Sequence, residues 1–432
     1  FNIIIDLSIF KNTIAFAKEM DAKDPLKEFR DLFHLPTGQS KDPLLYFCGN
    51  SLGLQPKQTK NYIKQELDDW AQLGVEGHTM ATNPWLNYHE ILAQPMAKIV
   101  GAKPSEVVVM NTLTANLHFM MVSFYKPTSK RHKILIESDA FPSDKYAVES
   151  QLKHHGYDPK DDLILWKPKK NKECLDLDDL NHILEKQGDE IALLLIGGVN
   201  YYTGQFLDLK QITNLGHKYG CLVGFDCAHG AGNVALNLHD SGADFATWCS
   251  YKYLNSGPGS LSGCFVHERH GNNPNLNRFS GWWNHDKASR FNMRQEFKVL
   301  EGAEGWQLSN PPILSMAAIK ASLDIFESAS MNKLIEKSKL LTAYLEYLLK
   351  DLDNKSIRII TPTNPKERGC QLSIQVINAD KKLHNALTDH GIITDWREPD
   401  VIRFAPVPLY NSFEDVFKMV EQLNEILTDY DI

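Results

Sequence analysis

Three side chains able to do chemistry together stand in the middle of this 432-residue chain. Asp226 follows the apolar run Cys221-Leu-Val-Gly-Phe225, and His229 lies three residues further on. After the next apolar run, Phe245-Ala-Thr-Trp248, comes Ser250-Tyr-Lys-Tyr253, and then the glycine-rich turn Asn255-Ser-Gly-Pro-Gly-Ser260. Asp226 and Lys252 are 26 residues apart, the length of one strand-to-strand crossover, so both can face one crevice. A lysine able to form an imine, with a carboxylate able to keep a pyridine nitrogen protonated, is the set a pyridoxal cofactor requires. His229 is placed to stack on or orient such a ring. Taken singly, each residue has a plainer reading. Asp226 and Lys252 could form a structural ion pair, and Asp-x-x-His recurs by chance. Together, on consecutive strand ends before a glycine-rich loop, they favour the cofactor.

A phosphorylated cofactor also needs donors for its anion. Thr112-Leu113-Thr114-Ala-Asn116 stands between a strand and a helix, where backbone N–H groups and the helix dipole favour negative charge. Phe141-Pro142-Ser143-Asp144 occupies an equivalent position, with Ser143 placed to donate and Phe141 to stack. The plainer readings are a threonine cap and a Pro-Ser turn, and for either segment alone they come first.

The elements that must hold these residues alternate short β-branched runs with helical patterns, as in a mostly parallel α/β sheet. Strands are expected at Val107–Met110, Lys133–Ile136, Leu163–Trp166, Ile191–Ile196, Cys221–Phe225, Phe245–Trp248 and Gly263–Val266. Helices are expected from near Thr114 and over Asp208–Tyr219, the second stopped by Gly220. Ligand-binding loops lie at the carboxyl ends of such strands. A long helical stretch from Leu314 to Leu352 then leads into an α+β pattern. Its strands are Ile357–Thr361, Gln371–Val376 and Val401–Phe404, and Ser412-Phe-Glu-Asp415 is a capping box for the last helix. The fold expected is α/β, a mostly parallel central sheet with flanking helices plus a smaller α+β domain. Residues 75–310 are read as the large domain, and 1–74 with 311–432 as the small one.

Composition sets the outer limits. The chain is 43% hydrophobic and 23% charged, with a formal net charge of −8, which argues against nucleic acid or an anionic membrane as the main partner. No apolar run reaches about 18 residues, so no membrane span is expected. The opening Phe1-Asn-Ile-Ile-Ile-Asp6 lacks the pattern of a signal peptide. Seven scattered cysteines, with no Cys-x-x-Cys pair, suit reduced thiols and a cytoplasmic setting; no metal site is expected.

Asp226-Cys-Ala-His229, Ser250-Tyr-Lys-Tyr-Leu-Asn255, Phe141-Pro-Ser-Asp144, Gly281-Trp-Trp283 and Ser309-Asn-Pro-Pro312 together resemble the kynureninase family of fold-type I pyridoxal 5′-phosphate enzymes. Tyr46-Phe-Cys-Gly-Asn-Ser-Leu-Gly53 and Val401-Ile-Arg-Phe-Ala-Pro-Val-Pro-Leu-Tyr410 carry the resemblance toward both ends, from about Tyr46 to Phe413. The resemblance implies that Lys252 is the imine lysine and Asp226 the partner of the pyridine nitrogen. Leu113, Thr114, Phe141, Pro142, Ser143, Asp144, His229 and Tyr251 would complete the cofactor pocket. Trp282 and Asn310 would reach it from a neighbouring subunit of a homodimer with shared sites. Arg403 would clamp the substrate α-carboxylate, and Ser51, His78, Ser309 and Asn310 would line its aromatic end. Gly197 departs from the pattern, standing where some relatives have a serine near the cofactor.

The activity so implied is hydrolytic cleavage between Cβ and a γ-carbonyl of kynurenine or 3-hydroxykynurenine, giving alanine and an anthranilate, within tryptophan catabolism and NAD biosynthesis. The freed amine of Lys252 would act on the α-proton. Tyr251 is equally a proton shuttle or a structural phosphate donor. His78 and Asn310 lean toward the 3-hydroxy substrate. The nearest rival on the same fold is a cysteine desulfurase or selenocysteine lyase using Cys370. A non-catalytic pyridoxal-binding protein is a further rival, disfavoured by the presence of Lys252, Asp226 and Arg403 together.

Overall fold

The computed structural model describes residues 7–38, 41–273, 275–293, 296–352, 354–377 and 381–429; the opening segment 1–6 lies outside the described residues. The apolar runs form a seven-stranded sheet of Val107–Met110 (β1), Lys133–Glu137 (β2), Leu163–Trp166 (β3), Ile191–Gly197 (β4), Leu222–Asp226 (β5), Phe245–Trp248 (β6) and Ser262–Val266 (β7). Their spatial order is β1-β7-β6-β5-β4-β2-β3. Only the two pairs made by β7, with β1 and with β6, are antiparallel. Strands covered on both faces read as continuous apolar runs rather than alternations, and β4 is the clearest case. Its Leu194 and Ile196 enter the core on one side of the sheet, while Leu193 and Leu195 enter the core on the other.

The expected helices are present at Leu113–Phe124 (α1) and Leu209–Lys218, the latter capped by Asp208 accepting from the Gln211 N–H. A helix over Pro142–His154 (α2) opens with proline at its first turn. The long C-terminal helical stretch is two helices, Ile313–Ala329 (α3) and Met331–Asp351 (α4), broken at Ser330. Ser330 has φ of 67°, a left-handed conformation that ends α3 without the glycine or proline that would mark it in sequence.

The C-terminal strands Ile357–Ile359 (β8), Leu372–Val376 (β9), Asp395–Arg397 (β10) and Val401–Phe404 (β11) form an antiparallel sheet ordered β10-β11-β9-β8. The capping box closes as expected at the start of the last helix, Phe413–Asp429 (α5). Ser412 Oγ accepts the Asp415 N–H at 3.0 Å, and Asp415 accepts the Ser412 N–H at 3.1 Å. Phe10, Ala17 and Phe47 share a hydrophobic core with α4, β9, β11 and α5. Leu45 and Tyr46 pair in parallel with Ile392 and Ile393. The N-terminal segment is thereby built into the C-terminal sheet and helices.

A buried ion pair ties the same segment to α4. Lys337 Nζ lies 2.7 Å from Asp24, with the side chains only 6% and 3% exposed. Removing one partner leaves an uncompensated buried charge, so Asp24→Ala is expected to cost about 3–5 kcal/mol in urea unfolding. A loss under about 1 kcal/mol would show that water already compensates the ammonium.

Candidate active site

The carboxyl ends of β2, β4, β5 and β6 and the start of α1 converge on a cavity of about 180 Å³. A cavity of about 150 Å³ already holds a benzene-sized ring. Lys252 and Tyr251 reach it from the loop after β6, Asp226 from the end of β5, and Glu137 and Gly197 from the ends of β2 and β4. Leu113 enters from α1, Phe141 and Asp144 from the start of α2, and Asn50 and Ser51 from the N-terminal turn. That turn must come very close. The Gly53 N–H donates to Tyr251 O at 2.8 Å, and a Cβ on Gly53 would sit 2.2 Å from Lys252 O.

Among the described residues, no carboxylate contacts the lysine. Lys252 Nζ lies 2.8 Å from His229 Nε2 and 5.8 Å from the Phe141 ring centre. Burial pulls its ammonium below the usual lysine range, and the Arg403 and Arg397 charges add to this, although Cys249 and Asp226 oppose it. Burial also holds His229 well below its usual range, reinforced by the Lys252, Arg403 and Arg397 charges. His229 is therefore a neutral acceptor at Nε2, and its buried Nδ1 has no protein partner.

Opposite lie three buried carboxyl groups. Asp226 accepts the Ala228 N–H at 2.7 Å. Asp144 is pushed well above the usual carboxylate range, by burial first and then by repulsion from Asp226, and its Oδ1 has no partner. Glu137 accepts the Gly197 N–H at 3.0 and 3.1 Å; burial pushes it up to about 7. Gly197 thus spends its N–H on Glu137.

An anion cradle adjoins this acidic wall. Thr114 Oγ1 and Ser143 Oγ lie 2.9 Å apart, in the first turns of α1 and α2, and neither helix has a side-chain cap. Two uncapped N-termini and two hydroxyls suit a phosphate. The residues fit pyridoxal phosphate at every part. A ring nitrogen could meet the Asp226–Asp144 pair, a phosphate the two helix starts, and an aldehyde the Lys252 amine.

Arg403, on β11, is fully buried; it pairs with Asp395 and donates to Tyr201 O at 2.8 Å. Arg397 pairs with the same Asp395 at 2.9 Å and, with Tyr201, lines the cavity wall. Sequence reasoning missed Glu137, Tyr201 and Arg397. Glu137 was findable, since it closes the run Lys133-Ile-Leu-Ile136 at a strand end. Nothing local distinguishes Arg397 from a solvated arginine.

Eight expected residues stand outside the cavity lining of this chain: Thr114, Pro142, Ser143 and Arg403, already placed, and His78, Trp282, Ser309 and Asn310. His78 lies on the short helix Gly77–Met80, its Nδ1 2.9 Å from Val75 O and its ring edge-on to Trp85. Trp282 is 43% exposed, and Ser309 and Asn310 are exposed as well. Cys370 is buried beside β9, its thiol pushed up to about 12 by burial, which makes it a poor nucleophile. Among the described residues, no helix is long and apolar enough to cross a membrane.

Residues 334–423 match the family model described as the kynureninase C-terminal domain. A Myxococcus xanthus protein named kynureninase is 54% identical over 96% of this chain and 97% of its own length. One from Mus musculus is 46% identical over 95% and 92%. Among solved structures, an apo cysteine desulfurase from Thermococcus onnurineus NA1 superposes with a TM-score of 0.74 at 18% identity, over 89% of this chain and 95% of that one. A C-DES mutant with glycine linked to its PLP cofactor gives 0.75 at 16% identity, over 88% and 96%. These structures share the fold expected from the sequence.

Proposed function

This chain belongs to the kynureninase family, and we propose that it hydrolyses the Cβ–Cγ bond of 3-hydroxykynurenine, and of kynurenine less well, to alanine and the corresponding anthranilate. It is a pyridoxal 5′-phosphate enzyme of the tryptophan-degrading class. The observation that carries the reading is the Lys252 amine, free of carboxylate contact among the described residues and lining one ring-sized cavity with Asp226 and Asp144.

Bound there, the cofactor supplies an electron sink for negative charge formed at the substrate α-carbon. Lys252 would hold it, and the amine of Lys252, when free, would take the α-proton at Nζ. Asp226 would hold a proton at the ring nitrogen, and Leu113, Thr114, Pro142 and Ser143 would shape the phosphate cradle. Phe141 and His229 bound the ring. Tyr251, half-buried beside Lys252, is raised in pKa by burial and by Cys249, so it stays protonated at neutral pH. It can donate a hydrogen bond to the phosphate or pass its proton to a carbon of the departing substrate. Arg403, paired with Asp395 behind the cavity lining, would turn its planar fork to the α-carboxylate, and Ser51 lies on the cavity wall.

The exposed Trp282, Ser309 and Asn310, together with His78, meet a neighbouring subunit's cavity in a homodimer. There His78 and Asn310 receive the ring hydroxyl, so a substrate lacking it leaves polar groups unpaired. Residues 75–310 form the large domain and the two chain ends the small one. The enzyme works in the cytoplasm, and the 3-hydroxyanthranilate it releases feeds NAD biosynthesis.

Purified holoenzyme is expected to yield alanine and a fluorescent anthranilate in equal amounts, with kcat/KM at least about tenfold higher on the 3-hydroxy substrate. Preference for kynurenine would overturn the hydroxyl assignment. Sulfide release from cysteine, with no anthranilate from either substrate, would overturn the activity.

A further inference from the structure

At the other end of β1 from the cofactor cavity, three metal-ligating side chains from three distant segments meet at one point. Glu106 closes the short 3-10 turn Pro104–Glu106 and leads into β1. His239 lies on the helical turn Leu238–Ser241, and His267 follows β7 directly. Glu106 Oε1 is 2.9 Å from His239 Nδ1 and 3.9 Å from His267 Nδ1, and all three ligand atoms fall within 4.8 Å of one another. The two imidazoles stack, their centres 5.1 Å apart and their planes 17° from parallel, so both present Nδ1 toward the carboxylate.

Two features set this cluster apart from an ordinary ion pair. Glu106 is fully buried, yet among the described residues no lysine or arginine pairs with it. Its formal charge is met by the Lys103 and Glu268 N–H groups, each at 2.9 Å, and by His239. A buried carboxylate ordinarily recruits a full cation. Second, His267 Nδ1 accepts the Arg269 N–H at 3.3 Å and so carries its lone pair there. His267 Nδ1 and Glu106 Oε1 are thus two acceptors 3.9 Å apart, and the lone pair of the first is held only by the long Arg269 bond. A cation fits there.

We propose that Glu106, His239 and His267 form a binding site for a divalent transition-metal ion, zinc being the best match. One carboxylate and two imidazoles form a zinc-type set, whereas calcium and magnesium call for more oxygens. Tetrahedral bonds of about 2.0–2.1 Å put ligand atoms about 3.3–3.4 Å apart, between the two separations found. His239 and His267 keep 29% and 14% of their side chains exposed, which leaves an entry path and a fourth position for water. The ion would replace the weak Arg269 bond to His267 and join β1, β7 and the 238–241 turn. Because it lies at the far end of β1 from the cavity, its effect is on stability and not on the reaction.

Holoenzyme stripped with a chelator is titrated with ZnCl2 by calorimetry and with CoCl2 by visible absorption. We expect one equivalent bound with the intense d–d bands of four-coordinate cobalt, together with a rise in thermal midpoint. His239→Gln and His267→Gln keep a polar side chain at each position and remove the imidazole ligand; each is expected to weaken binding at least tenfold. His89→Gln, in the separate His89, Glu90 and Glu304 cluster, is expected to leave it unchanged. Absence of four-coordinate cobalt bands, or binding that survives both His239→Gln and His267→Gln, would overturn the site.

Discussion

Lys252→Ala is expected to lower turnover by at least about 10³-fold and to leave cofactor that dialysis removes. The size follows from what the position combines. Among the described residues Lys252 is the one amine lining the cavity, and its surroundings depress its proton affinity, so a larger share is an unprotonated nucleophile at neutral pH than for a surface lysine. His229 at 2.8 Å orients Nζ without neutralising it. Lys252→Arg makes the sharper variant. It keeps the charge and much of the bulk, but a guanidinium neither forms the imine nor accepts a proton in this pH range. Both variants are expected to fold with unchanged urea midpoints, because no ion pair is lost with the lysine. Measured kcat on a common substrate, with borohydride reduction followed by peptide mass mapping, checks the assignment. Turnover within tenfold of the parent in Lys252→Arg would transfer the proton-moving role to another group.

Much of this arrangement was legible in the chain itself, for physical reasons. The seven strands of the large sheet are apolar on both faces, so they appear as unbroken runs, and their carboxyl ends name the loops that carry ligands. That places Asp226, Lys252, Leu113 and the 141–144 segment around one crevice before any coordinates are known. The break at Ser330 was not legible, because a left-handed serine leaves no compositional trace. Arg397 was not legible either. Its place at the cavity depends on the pairing of β10 with β11 and on sharing Asp395 with Arg403, both set by tertiary contacts. His78, Trp282, Ser309 and Asn310 show a different limit. Family resemblance assigns them to the site, but this chain alone leaves them outside its cavity, so the roles proposed for them call for the proposed second copy.

Asp226→Asn and Asp144→Asn are expected to differ by at least tenfold in kcat, although both remove a carboxyl group from the same wall. The two acids lie side by side, and like charges so close cannot both ionise in a buried site. Asp144 is the acid expected to keep a proton. Burial and Asp226 push its carboxyl well up, and its Oδ1 finds no donor. Asp226 instead accepts the Ala228 N–H at 2.7 Å, a bond that stabilises a carboxylate there. A protonated ring nitrogen needs a negative partner, so Asp226→Asn removes the charge that keeps the electron sink effective, and a loss on the order of 10³-fold is expected. Asp144→Asn exchanges one neutral hydrogen-bonding group for another of nearly the same shape. It is expected to stay within about tenfold of the parent. The pair also tests whether the acidic wall acts as one unit. If Asp144→Asn falls as far as Asp226→Asn, the negative charge is shared across both carboxyls, and the assignment of the ring nitrogen to Asp226 alone fails.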